Sequence, residues 1–329
     1  MSAAPQPARS PFDRLLGQPQ AIALLTQAIT KNRIAPAYLF VGPEGVGRGL
    51  AARCFAEAVF GATLAPSQHA TLRSRIDRGN HPDLFWVEPT YLIQNKRVTV
   101  SEAEALGEKR KTPPVIRLEQ IREIGQFLAR AALEGPRSLV VLEQANSMAE
   151  AAANALLKTL EEPGQATLIL LAPTIDSLLP TLVSRCQRIP FRRLSLEQMQ
   201  HVLGTTAQAE VLTHPDILAL AEGSPGTAIA HWHYQQQIGP ELLQQLRQRP
   251  QNPRQALTLA QQLSRELELE SQLWLIGYLQ QQYWRGRDRQ PTSPVDLLPL
   301  HLLEQARSYL LQNVGPRLVW EVTLMKMVP

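Results

Sequence analysis

Apolar positions along this chain follow two regimes, and the change between them divides it. In the first, short runs that are apolar throughout alternate with longer stretches of helical spacing. Ala37-Tyr-Leu-Phe-Val41, Ser138-Leu-Val-Val-Leu142 and Thr167 to Leu171 are such runs, and His81-Pro-Asp-Leu-Phe-Trp-Val87 adds another. Unbroken apolarity over so few residues predicts strands buried on both faces. Between them, Ala21, Ile22, Leu24, Leu25, Ala28 and Ile29 mark one face of a helix, and Leu50 to Phe60 is Ala-rich at helical spacing. Ile116 to Leu133 carries Ile121, Ile124 and Leu128 on one face, and Met148 to Leu160 is amphipathic and stops at Glu-Glu-Pro163. Strands alternating with helices predict an α/β fold, a parallel sheet covered on both sides. Two polar stretches interrupt the pattern. Gly61 to Asn80 reads as irregular, and Gln94 to Pro114, with Lys96, Arg97, Lys109, Arg110 and Lys111, as an exposed loop or short hairpin.

After Arg193 the strand pattern stops. Leu194 to Gly204, Pro215 to Ala221 and Thr227 to Tyr234 predict a small helical unit, broken at Gly223-Ser-Pro-Gly226. Pro240 to Val328 is helical again, rich in Leu and Gln, with a Pro-rich linker at Arg289 to Pro299. The expected organisation is a disordered tail at 1–11, an α/β domain at 12–193, a helical domain at 194–235 and a second helical domain at 236–329. No repeat of fixed period is present.

The composition narrows the classes. Hydrophobic residues make up 44% of the 329, enough for sizeable cores. No run of about 18 apolar residues is present, so a membrane span is not expected, and the Ala- and Pro-rich N-terminus lacks the pattern of a secretory signal. The two cysteines, Cys54 and Cys186, offer neither zinc-ligand spacing nor a disulfide framework, in keeping with a reducing cytoplasm. A net charge of +4 and a pI near 9.2 permit a nucleic-acid partner without requiring one.

The chemistry concentrates after the first predicted strand, at Phe40-Val-Gly-Pro-Glu-Gly-Val-Gly-Arg-Gly49. Gly42 and Gly47 hold the glycine positions of the phosphate-binding pattern G-x-x-x-x-G-K-[ST], with Gly45 between them, in the strand–loop–helix context that pattern needs. Arg48 stands at the lysine position and Gly49 at the hydroxyl position. A guanidinium does not replace an ammonium there, and Gly49 has no oxygen for Mg²⁺. At the end of the Ser138–Leu142 strand, where such ATPases carry an acidic pair, stand Glu143 and Gln144. Gln144 forfeits general-base chemistry worth about 10²–10⁴ in rate. Three changes in one site argue against hydrolysis, while the loop amides and helix start retain a capacity for phosphate. A strand-to-helix turn with no ligand is the plainer reading of the same residues.

A second constellation is Leu178-Leu-Pro-Thr-Leu-Val-Ser-Arg-Cys186, near the junction of the two regimes. An arginine in such a place can reach a neighbouring subunit and stabilise phosphoryl transfer. From spacing alone, Arg185 reads as one more surface arginine beside Arg188, Arg192 and Arg193.

Together, Leu16-Gly-Gln18, Ala37-Tyr-Leu-Phe40, the Gly42 to Gly49 loop, Asn80-His-Pro-Asp83, Ala151 to Pro163, Leu179 to Cys186 and Gly223-Ser-Pro-Gly226 resemble AAA+ clamp-loader subunits of bacterial DNA polymerase III, the delta-prime type above all. The resemblance spans residues 12 to 230 and is thin beyond. It implies an AAA+ base, a helical lid and a helical collar that joins five subunits into an open ring. It implies a subunit without ATPase activity, a stator whose Ser184-Arg185-Cys186 motif presents Arg185 as an arginine finger to the ATP site of a tau/gamma neighbour. Partners so implied are tau/gamma, delta, the sliding clamp and primed DNA, in the cytoplasm and away from membranes.

Departures sharpen this. The stretch Gly61 to Leu118 lacks the four zinc-binding cysteines of many relatives, so no zinc is expected; no metal or other cofactor is expected elsewhere, nucleotide binding without hydrolysis being left open. Ala172-Pro173 stands where ATPase relatives place a polar sensor, and Thr227 where they often have an arginine. The alternatives are an ATP-hydrolysing tau/gamma-like subunit and a DNA-binding AAA+-fold adaptor. Of the remaining residues, Trp232, Trp274, Trp284 and Trp320 read as packing. His231 and His233 point to different helix faces, which disfavours a metal site. Lys109-Arg-Lys111 reads as a solvated loop.

Overall fold

The computed structural model describes residues 10–93, 96–99, 102–103, 113–285 and 294–328, and these divide into two compact units. The basic run at 109–111 and most of the predicted N-terminal tail lie outside the described residues. The 194–235 stretch contributes to both units: 194–209 and 223–227 to the first, 210–222 and 228–235 to the second.

In chain order the first unit holds α1 (Pro19–Thr30), β1 (Ala37–Val41), α2 (Arg48–Gly61), α3 (His69–Asp77), β2 (Leu84–Val87), β3 (Thr90–Ile93), β4 (Lys96–Thr99), α4 (Leu118–Leu128), β5 (Ser138–Leu142), α5 (Glu150–Glu161), β6 (Ala166–Ala172), α6 (Pro180–Val183), β7 (Gln187–Pro190) and α7 (Leu196–Gly204). Five strands form one sheet in the order β2-β5-β6-β1-β7, every neighbouring pair parallel. Every residue of β5 and β6 is buried, as their unbroken apolar sequences require. Side chains alternate across the sheet. Leu39, Val140, Leu168 and Leu170 face a cluster with Ile124 and Leu156. On β1, Tyr38 packs edge-on against Phe55 of α2 at 5.5 Å, and Phe40 meets Phe191 at 5.3 Å.

The sequence pattern misplaced three features here. Gly61 to Asn80 is not irregular throughout: α3 lies within it, a polar helix that buries only Leu72 and Ile76. β7 was not anticipated, because Gln-Arg-Ile-Pro buries only Ile189 and occupies an edge of the sheet. α4 stops at Leu128 rather than Leu133. Past it, the N–H groups of Leu133, Glu134 and Gly135 all donate to the Asp83 carboxylate, at 2.7, 2.8 and 2.7 Å, which draws the chain into a turn ahead of β5. β3 and β4 form an antiparallel hairpin, of which only β4 lies inside the 94–114 stretch predicted as loop or short hairpin; β3 precedes it.

The second unit is helical: α8 (Pro215–Leu220), α9 (Pro225–Gln237, whose first three residues belong to the first unit), α10 (Pro240–Leu246), α11 (Pro253–Glu266), α12 (Leu269–Arg285), α13 (Pro294–Leu311) and α14 (Pro316–Met327). Its core gathers Leu259, Leu263, Leu275, Leu279, Leu303, Ala306 and Trp320. Burial of each large side chain contributes about 1.5–3 kcal/mol. Trp320 is fully buried and donates its Nε1–H to Gln272 at 2.8 Å; Gln272 in turn donates to the Leu267 carbonyl at 2.8 Å. The Pro-rich segment is not all linker. From Pro294 the chain is helical, because proline's fixed φ suits a helix start, and Pro299 is carried inside the helix.

Candidate functional site

β1 ends in the middle of the sheet, between β6 and β7, and α2 begins at Arg48. Residues 42–47 therefore turn at the carboxyl end of a central strand, where α/β sheets place their ligands. The loop is packed from two sides. A Cβ at Gly42 would stand 2.4 Å from the Phe191 carbonyl oxygen, and one at Gly45, where φ is +70°, would stand 2.4 Å from the Thr227 nitrogen and 2.5 Å from Ser224 Oγ. The same close approach is hydrogen-bonded. Gly226 N–H donates to the Gly45 carbonyl at 3.0 Å, and the Ser224 and Thr227 hydroxyls donate to the Glu44 carbonyl at 2.6 and 3.2 Å. Ser224 to Thr227 thus covers the apex of the loop.

Arg48 is 8% exposed, and its Nη1 is buried with no hydrogen-bond partner among the described residues. Burial depresses its pKa, opposed by the nearby charges of Glu44 and Glu143. Gly49 faces the end of β5: a Cβ there would lie 3.9 Å from both Glu143 Oε1 and the Trp86 ring. Glu143 accepts a hydrogen bond from Trp86 Nε1 at 2.9 Å, and the Arg53 guanidinium lies 4.3 Å over the same indole. Burial, then the charges of Glu143 and Glu102, raise the Glu88 carboxyl above its ordinary range. Gln144 is exposed and holds a left-handed φ of 47° at the turn after β5. Ala172, at the sensor position, is buried, and its carbonyl accepts the Gly42 N–H at 3.2 Å. The structure therefore brings Arg48, Gly49 and Glu143 together and leaves Gln144 outside.

Arg185 stands elsewhere, just past the short α6. Its Nη2 donates to Glu161 Oε1 at 2.7 Å and its Nη1 to the Thr181 carbonyl at 3.0 Å, and the side chain remains 37% exposed. Ser184 Oγ donates to the same Thr181 carbonyl at 3.0 Å. Cys186 packs against the α/β core, and burial pushes its thiol up to about 11. Ser184 and Arg185 thus both bond the last turn of α6, Arg185 pairs with Glu161 as well and stays exposed, and Cys186 packs inward. The contacts of Arg185 are to Glu161 and Thr181 rather than to the glycine loop.

No local sequence pattern points to Trp86 on Glu143, Arg53 over Trp86, Ser224 on the loop, or Glu161 beneath Arg185. Each pair is far apart in sequence, 57 residues for Trp86 and Glu143 and 180 for Ser224 and Glu44, so no local pattern carries it. Among the described residues no group of three or more His, Cys, Asp or Glu side chains is placed to hold a metal ion, and no helix is long and apolar enough to cross a membrane.

A family model described as DNA polymerase III, delta subunit matches residues 17–195, and one described as cyanobacterial DNA polymerase III delta prime, C-terminal domain, matches residues 197–327. The chain is 34% identical over 180 residues to the DNA polymerase III subunit delta' of Bacillus subtilis, across 54% of this chain and 48% of that one. It is 36% identical over 214 residues to the subunit delta' of Pseudomonas aeruginosa, across 63% and 58%. The matches thus span about half the length of these relatives. Among solved structures, a DNA polymerase III gamma subunit-related protein from Thermotoga maritima superposes with a TM-score of 0.50 at 16% identity, over 94% of this chain and 99% of that one, a likeness of fold.

Proposed function

This chain belongs to the DNA polymerase III delta and delta-prime family of clamp-loader subunits, with an AAA+ α/β core and a helical C-terminal region, and we propose that it serves there as a stator that hydrolyses no ATP itself and lends Arg185 to a neighbour's ATP site. The observation that carries the reading is the placement of Arg185. Its guanidinium is exposed, held at the tip of a short turn by Glu161 and the Thr181 carbonyl, and away from its own chain's glycine loop. A guanidinium so held serves a phosphate that comes from outside the chain.

The loop itself is a poor fit for Mg–ATP. Gly49 has no hydroxyl for a metal, the Glu143 carboxylate is engaged by Trp86, Gln144 takes no proton, and Ser224 and Thr227 cover the apex through Glu44. Arg48 then holds a charge in the buried loop without a catalytic task. The partners on this reading are tau/gamma as the ATP-bearing neighbour, delta, the sliding clamp and primed DNA, and the setting is the cytoplasm. The test is reconstitution of the clamp loader with Arg185→Ala. DNA-stimulated ATP turnover and clamp loading fall while the complex still assembles; unchanged turnover overturns the proposal.

A further inference from the structure

A cavity of about 730 Å³ lies in the helical second unit and belongs to no part of the site above. Its size falls within the range of small-ligand pockets, about 300–1,000 Å³. Three elements converge on it. Trp232, Gln235 and Gln236 come from α9, at spacings of three and four that put them on one helix face. Gln244 comes from α10, Arg247 from its C-cap, and His214 from the residue before α8.

Trp232 is the unexpected member. A tryptophan on this helix reads as packing in the sequence, yet Trp232 is only half-buried and is not among the described side chains of the helical unit's core. The inward face of the same helix is filled without it: Ala228 is fully buried, and His231, beside Trp274, is held neutral by burial that lowers its pKa to about 4. A large indole is thereby left at the cavity. Arg247 is fixed in place: its Nε and Nη2 donate to the hydroxyl of the fully buried Tyr278 at 3.1 and 2.7 Å, and Nη2 also meets Asp216 at 3.4 Å. Among the described residues its Nη1 carries no hydrogen bond.

An indole face, a positioned guanidinium and three side-chain amides suit a ligand with a flat aromatic ring, an anionic group and polar ring edges. A nucleobase stacks on such an indole whatever its sequence, the guanidinium takes phosphate oxygens, and glutamine amides pair with base edges. We infer that this cleft binds single-stranded DNA, one unstacked base on Trp232 with the adjoining phosphate on Arg247. A duplex does not fit this chemistry, since its bases are already stacked. The inference goes beyond the arginine-finger reading and is tested on the chain alone, so either stands or fails without the other.

The experiment is fluorescence anisotropy of labelled oligothymidylate titrated with the full chain at low and raised salt, against duplex DNA and thymidine monophosphate as competitors. The wild-type chain binds the single strand, more weakly as salt rises. Trp232→Ala weakens binding roughly 5- to 150-fold, the range for loss of one base–aromatic stack. Gln244→Glu, an exposed change that places a negative charge at the cleft, weakens it as well and serves if Trp232→Ala does not fold by circular dichroism. Equal binding by the variants, no binding by the wild type at low salt, or competition by duplex or mononucleotide as strong as by the single strand overturns the inference.

Discussion

Arg185 and Glu161 form an ion pair of 2.7 Å between residues 24 positions apart, joining the end of α5 to the turn after α6. Both side chains are substantially exposed, at 37% and 53%. Such a pair contributes about 0–1 kcal/mol, so its value is to aim the guanidinium, not to hold the fold. Arg185→Ala and Glu161→Ala are each expected to leave the urea midpoint of the isolated chain almost unchanged. A loss above about 2 kcal/mol in either would make the pair structural.

Asp83 is the opposite case. Its carboxylate is buried and receives three backbone N–H donors from the turn at 133–135. Burial alone would raise its pKa, but the donors outweigh it and the folded value falls below the ordinary one. A depressed carboxyl stabilises the fold above its unfolded pKa, near 3.9, and that stability is lost as the pH falls through the lower folded value. Asp83→Asn, which leaves one oxygen for three donors, is expected to cost about 2–3 kcal/mol at neutral pH and to flatten the acid side of the stability–pH profile.

The covering of the glycine loop by Ser224 to Thr227 predicts a contrast between two glycines. Gly164 has φ +60° and nothing near a built Cβ, whereas Gly45 has φ +70° and would strike Thr227 and Ser224. Gly164→Ala is expected to cost about 1–2 kcal/mol for the left-handed backbone alone. Gly45→Ala adds the clash and should cost at least about 2 kcal/mol more. Equal losses in thermal or urea unfolding would mean that the loop is not held closed.

The cysteines predict chemical reactivity. Cys54 is buried and its thiol is raised by burial, while that of Cys186 is raised to about 11. At pH 8 roughly one Cys186 in a thousand is thiolate. Iodoacetamide is expected to label the native chain very slowly and the unfolded chain rapidly at both positions, as read by mass spectrometry.

How much of this was legible in the sequence differs by element. β1, β5 and β6 are, because a parallel strand buried on both faces must be apolar throughout. β7 and α3 are not, because each buries only one or two side chains and reads as polar surface. The chemical identities at 48, 49, 143 and 144 can be read directly. Their setting cannot: the indole on Glu143, the hydroxyls on Glu44 and the carboxylate under Arg185 are tertiary contacts between distant segments. Trp232 shows the same limit, since a tryptophan on a helix reads as packing until the core is seen to close without it.

The most direct measurement is steady-state, DNA-stimulated ATP turnover by a reconstituted clamp loader containing this chain as wild type or Arg185→Ala, alongside the isolated chain. Loss of an arginine finger costs about 10³–10⁵ in turnover at the site served in known cases. The expected result is no turnover by the isolated chain, normal assembly of both complexes, and lowered turnover with Arg185→Ala. Turnover by the isolated chain that Arg48→Ala abolishes, or a variant complex as active as the wild type, would contradict the account.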